Sequence, residues 1–140
     1  KEKAMLILPE TFMNKSGLSV KSLITSKKKA ESLIVIHDDL DLPLGRFKIS
    51  FGSGSGGHKG AESIMRAIKT KNFIRIRVGI SPATPGGKIK KPESKKTGDF
   101  ILVNFTPKEQ AIIKKETKKI TSAVEAIIGE GRGKAMNLFN

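Results

Sequence analysis

The segment Ser32-Leu33-Ile34-Val35-Ile36 constrains this chain more than any other, because a continuous apolar run rich in β-branched residues suits a strand whose sheet is covered on both faces. Such a sheet needs helices on either side. Helical spacing is present at residues 61–69, where Ile64, Met65 and Ile68 share a face. It recurs after Thr106-Pro107-Lys108-Glu109, which combines an N-cap, a proline at the first helical position and a capping-box glutamate. The long helix predicted there carries Ile113, Ile120, Val124, Ile127 and Ile128 and closes at Gly129. Arg46 to Phe51 and Phe73 to Ile80 alternate with period two, which predicts strands with Lys48 on one face of the first and Arg75 and Arg77 on one side of the second. Ala4-Met5-Leu6-Ile7-Leu8, stopped by Pro9, and Phe100 to Phe105 read as two more strands, and Leu18 to Ile24 as a helix ending in Lys27-Lys28-Lys29. Strands alternating with helices predict one α/β domain over residues 1–140, with no internal repeat.

Composition narrows the function. No apolar run approaches the roughly 20 residues that cross a bilayer, and the first residues lack the pattern of a secretory signal, so a cytoplasmic protein with no membrane partner is expected. With no cysteine and two histidines, His37 and His58, the chain has no thiolate chemistry and no His-rich metal site. The 27 Lys and Arg against 13 Asp and Glu leave a net charge of +14, which attracts polyanions and makes nucleic acid the leading partner. Seven Phe without Tyr or Trp argue against a platform for stacking single-stranded bases. Three of the six prolines, Gly86-Gly87 and five lysines within residues 82 to 98 predict a mobile basic loop.

Ligands of open α/β sheets gather beyond the carboxyl ends of the strands, and three segments there carry candidate chemistry. Asn14, in Phe12-Met13-Asn14-Lys15-Ser16-Gly17, offers an amide to a substrate or water, or caps a helix. His37-Asp38-Asp39-Leu40-Asp41 leaves the apolar strand, and its acids suit a turn, a loose Mg²⁺ site or, for Asp38, the orientation of an imidazole. His37 is a poor partner for Asp38, since neighbours on a strand point to opposite faces. The loop Gly52 to Gly60 contains a formal G-x-G-x-x-G, but no acidic residue follows at residues 70–80 for a ribose, and Lys59 precedes Gly60 where a Walker loop needs Ser or Thr. What remains is a set of backbone amides and a helix start, flanked by His58 and Lys59, available to an anion.

Five ordered segments, Pro9 to Gly17, His37 to Gly45, Ser55 to Gly60, Phe73 to Ile80 and Ala135 to Asn140, together resemble bacterial-type peptidyl-tRNA hydrolase. The resemblance implies a mixed twisted sheet flanked by helices, and cleavage of the ester joining a peptide to the 3′ ribose of tRNA without metal or cofactor. It also implies a monomer when the protein is complete. Asn14 takes the position of an active-site asparagine and Asp38 that of the aspartate orienting the catalytic histidine. Met13, Asn14, Gly57, His58 and Lys59 become substrate-binding positions, with Lys59 where the family has asparagine. Arg77 takes the position of a basic residue that grips a tRNA phosphate, while the family's partner lysine falls near Ser50; by period two Lys48, on the same face, would substitute, and Arg75 joins them as a tRNA-binding position. The family's opening strand and its Arg-His-Asn motif, the source of the base histidine, have no match in this sequence. The expectation is therefore an N-terminal strand missing, an Asp38 with no imidazole to orient, and a 140-residue chain that binds tRNA without efficient hydrolysis. The alternative is a non-catalytic RNA-binding protein on the same fold.

Overall fold

The computed structural model describes residues 3–84, 88–90 and 97–140. A 3₁₀ turn at Met13–Lys15 leads into two short helices, α1 (Leu18–Lys21) and α2 (Lys27–Glu31). Strands β1 (Ile34–Pro43) and β2 (Phe47–Phe51) precede α3 (Lys59–Ile68) and β3 (Ile74–Ser81), and α4 (Thr97–Leu102), α5 (Pro107–Glu130) and α6 (Arg132–Phe139) complete the chain. The sheet is mixed, in the order β1-β3-β2: β3 lies parallel to β1 and antiparallel to β2.

Alternation along the central strand divides the core. Ile74 and Ile76, with Ile49 of β2, pack on Ala123, Ala126 and Ile127 of α5 and Ala135 of α6. A smaller cluster of Val20, Ile64 and Phe73, with Val35, Leu33 and Ile68 against it, joins α1 and α3 to the sheet. Thr106 and Glu109 form the capping box expected at the head of α5.

The free side of β2 is closed by one side chain. The Asn140 amide accepts from Ile49 N–H at 2.7 Å and donates from Nδ2 to Ile49 O at 2.9 Å, imitating a neighbouring strand.

Four sequence expectations change. Ala4 to Leu8 forms no strand: these residues are exposed, Leu6 at 91%, and have no sheet partner. Phe100 to Phe105 is not a strand either, since its first three residues belong to α4. An apolar run of this length does not distinguish a helix from a strand. The stretch expected to be one helix up to Lys29 is broken into α1 and α2, Ser26 capping the second by accepting from Lys29 N–H. Gly129 lies inside α5, which ends at Gly131, the residue with positive φ (+88°). Within the basic segment 82–98, residues 85–87 and 91–96 lie outside the described residues, and Ala83 bridges Ile89.

Gly17 seats the 3₁₀ turn and α1 on α3. Its N–H donates to the buried Ser63 Oγ at 3.0 Å, and a Cβ there would lie 2.4 Å from Ser63 O. That oxygen and Ala67 Cβ, 2.6 Å away, belong to the backbone and side chain of α3 and cannot swing aside, so Gly17→Ala is expected to destabilise the fold by roughly 1–3 kcal/mol. Urea denaturation measures it; an unchanged midpoint contradicts this packing.

Candidate active site

Strand β1 runs past its apolar part through His37, Asp38 and Asp39, because Gly79 on β3 allows the backbones to approach. A Cβ at Gly79 would lie 2.1 Å from Pro43 O, and the β1–β3 register breaks between Asp39 and Pro43. Beyond the break, Ser81 Oγ donates to Leu40 O at 2.7 Å and Leu44 N–H to Ser81 O at 2.9 Å.

Asp38 meets an imidazole, contrary to expectation. His58 Nε2 lies 2.9 Å from Asp38 Oδ1, with the two side chains 14% and 28% exposed. His58 is the N-cap of α3, and its Nδ1 accepts from Ala61 N–H at 3.0 Å. Nδ1 as acceptor fixes the tautomer: the proton is on Nε2 and is donated to Asp38. Both ring nitrogens are thus engaged. The hydrogen bond from His58 holds the Asp38 carboxyl below the ordinary carboxylate range, outweighing its partial burial. The backbone N–H of Asp38 itself adds to the same effect.

His37 is the opposite tautomer. Its Nδ1 lies 2.6 Å from the backbone oxygen of Asp38, an acceptor, so Nδ1 carries the proton and Nε2 the lone pair. As the alternation of the strand requires, His37 does not reach the Asp38 carboxylate. The ring is buried, tilted against His58 with centroids 4.4 Å apart, and Nε2 finds no partner among the described residues. Burial, then the neighbouring His58, pushes its pKa down to about 4.

A cavity of about 540 Å³ opens over this pair. Its polar wall is Asp38, Asp39, Gly57, His58 and Lys59; Met13, Leu40, Ile101 and Leu102 form an apolar side. Met13, Gly57, His58 and Lys59 are brought to the cavity as the sequence suggested. Asn14 is not: the 3₁₀ turn aims Met13 into the cavity and Asn14 into a neighbouring cleft with Lys15, Lys21 and Arg66. Ile101 and Leu102 went unforeseen because α4 was read as a strand.

The cations of the sheet separate. Lys48 and Arg77 are directly paired across β2 and β3 and share a side; Lys48 is exposed, and Arg77 Nε donates to Asp39 Oδ2 at 2.5 Å. Arg75 is 2% exposed and its bonds go to the glycine loop, so it is not available to a phosphate as expected. Among the described residues no three His, Cys, Asp or Glu side chains converge as metal ligands, and no helix is long and apolar enough to cross a membrane.

The fold and site define an α/β protein with a carboxylate–imidazole pair at the carboxyl end of a sheet, beside an apolar cavity and a basic strand face. The peptidyl-tRNA hydrolase family model matches residues 1–140. Peptidyl-tRNA hydrolases of Thermodesulfovibrio yellowstonii and Fervidobacterium nodosum are 41% and 42% identical to the chain, over 96% and 99% of it and 69% of each relative. A crystal structure of peptidyl-tRNA hydrolase with n-propanol superposes with a TM-score of 0.79 at 30% identity, and the enzyme from Acinetobacter baumannii with 0.79 at 28%. Each superposition covers 94% of this chain and 63% of the solved one, just under two thirds. The chain belongs to the peptidyl-tRNA hydrolase family.

The buried neutral His37 makes stability depend on pH. Its folded pKa, about 4, lies below the unfolded value of 6.5, so the unfolded chain binds the proton more tightly. The stabilisation is complete above pH 6.5 and is lost as pH falls toward 4, up to roughly 3 kcal/mol. The urea midpoint should fall across that window in the native chain and change much less in His37→Gln; equal slopes contradict the assignment.

Proposed function

We propose that this chain binds peptidyl-tRNA and that its cavity holds the ester between the peptide and the 3′ ribose for hydrolysis. One observation carries the reading: the ionised Asp38 lines a cavity with one polar and one apolar side, next along the sheet to the cross-strand pair of half-buried Arg77 and exposed Lys48. Family membership supports the substrate class. The net charge of +14 supports a polyanionic one.

In the reaction, water adds to the ester carbonyl carbon, the bond from that carbon to the ribose 3′ oxygen breaks, and the 3′ hydroxyl leaves with a proton. The peptide is released as its acid. A base must take the proton of the attacking water. Neither histidine of this chain is placed to do so: His58 has no free lone pair, and the free lone pair of His37 is buried beneath it. The Asp38 carboxylate is the group that would orient a further imidazole, which the Arg-His-Asn motif supplies in the family. Lys59, exposed at the cavity and the start of α3, supplies a positive charge near the developing oxyanion. Asn14, Lys48 and Arg77 would meet the tRNA side of the ester, with Asn14 acting from the adjoining cleft. No metal or cofactor takes part.

These assignments separate binding from turnover, and that favours the second reading, tRNA binding without hydrolysis, for the 140 residues taken alone. With an N-blocked aminoacyl-tRNA under single-turnover conditions, the chain should bind with a steep salt dependence and cleave no faster than buffer. Lys48→Ala should lower the salt slope by roughly 0.7–0.9. Hydrolysis abolished by Asp38→Asn would show that a residue within the chain serves as base; absence of binding would remove the substrate assignment itself.

A further inference from the structure

The glycine loop between β2 and α3 is held by one buried cation. Arg75, at the start of the central strand β3, is 2% exposed, and its Nη2 lies 2.6 Å from Ser53 Oγ, 2.6 Å from Gly54 O and 3.3 Å from Ser53 O. It forms no ion pair among the described residues; Asp39, whose charge reaches it, is bonded to Arg77. Burying an arginine without a carboxylate is costly, because the guanidinium cannot shed its charge. All three of its acceptors belong to one loop, so that loop is what the cost secures.

The loop needs such an anchor. Gly52, Gly56 and Gly57 have positive φ, +68°, +63° and +82°, and glycine-rich backbone has many alternatives to the one conformation that brings His58 to Asp38. A Cβ at Gly54, Gly56 or Gly57 would touch nothing, so packing does not restrain these residues. The remaining internal ties are light: Gly57 N–H donates to Ser55 Oγ at 3.3 Å, and His58 N–H to Ser55 O at 3.2 Å.

We propose that Arg75 is a positioning residue, its buried guanidinium fixing Ser53 and Gly54 so that the loop delivers His58 to Asp38 and lays Ser55, Gly56 and Gly57 along the cavity wall. The role concerns loop geometry and is independent of which ester the cavity takes. Its test therefore needs no turnover.

Three variants are compared with the native chain by amide hydrogen exchange and by ¹⁵N shifts of the two imidazoles: Arg75→Met, Arg75→Lys and Ser53→Ala. Losing hydrogen bonds to a charged group should make exchange at residues 54–58 about tenfold faster in Arg75→Met. The ¹⁵N signature of a protonated Nε2 on His58 should weaken while His37 keeps its own. Arg75→Lys, which retains one donor, should recover part of both. Ser53→Ala removes only an exposed hydroxyl acceptor, leaves the core untouched and should accelerate loop exchange to a smaller degree. If Arg75→Met unfolds, Ser53→Ala still decides. Native exchange and native His58 shifts in a folded Arg75→Met or in Ser53→Ala would overturn the proposal, as would equal loss of the His37 and His58 signatures, which marks a general structural role.

Discussion

The contact between Asp38 and His58 joins the middle of β1 to the start of α3, and the rest of the site is arranged around it. His58 acts twice, donating from Nε2 to the carboxylate and accepting at Nδ1 from the first turn of the helix. A side chain with both nitrogens committed is a structural link rather than a base. It keeps Asp38 ionised on the wall of the cavity. The buried His37 beneath it adds no charge at neutral pH, so the negative charge of Asp38 is not cancelled from within.

The basic residues divide by depth. Lys48 is exposed and Arg77 is bonded to Asp39 beside it, which gives a face where a polyanion can replace water. Arg75, two residues away on the same strand, is buried and turned to the loop. Period two correctly put Arg75 and Arg77 on one side of β3; depth along the strand then separated their roles, because the loop covers one and leaves the other open.

The sequence made the central elements legible where pattern and length agreed. The apolar run at Ile34 to Ile36, the alternating strands through Ile49 and Ile76, and the Thr106 capping box are local signals that the fold keeps. Asp38 was found because it directly follows the apolar run, although β1 continues past it to Pro43. Its partner was not, because a histidine is an uncommon N-cap and twenty residues of loop and strand separate the pair. Phe100 to Phe105 failed for lack of a partner-independent signal: six apolar and polar residues fit either period, and its helix supplies Ile101 and Leu102 to the cavity. Asn14 was expected beside Asp38, but one 3₁₀ turn sends Met13 and Asn14 in different directions.

The protonation pattern of the two imidazoles tests this account most directly. A long-range ¹H–¹⁵N correlation spectrum of the native chain at pH 7 should show two neutral rings in opposite tautomers, His58 protonated at Nε2 and His37 at Nδ1. A His58 protonated at Nδ1 would break the helix cap, free Nε2 to act as a base, and contradict the link on which the site is built.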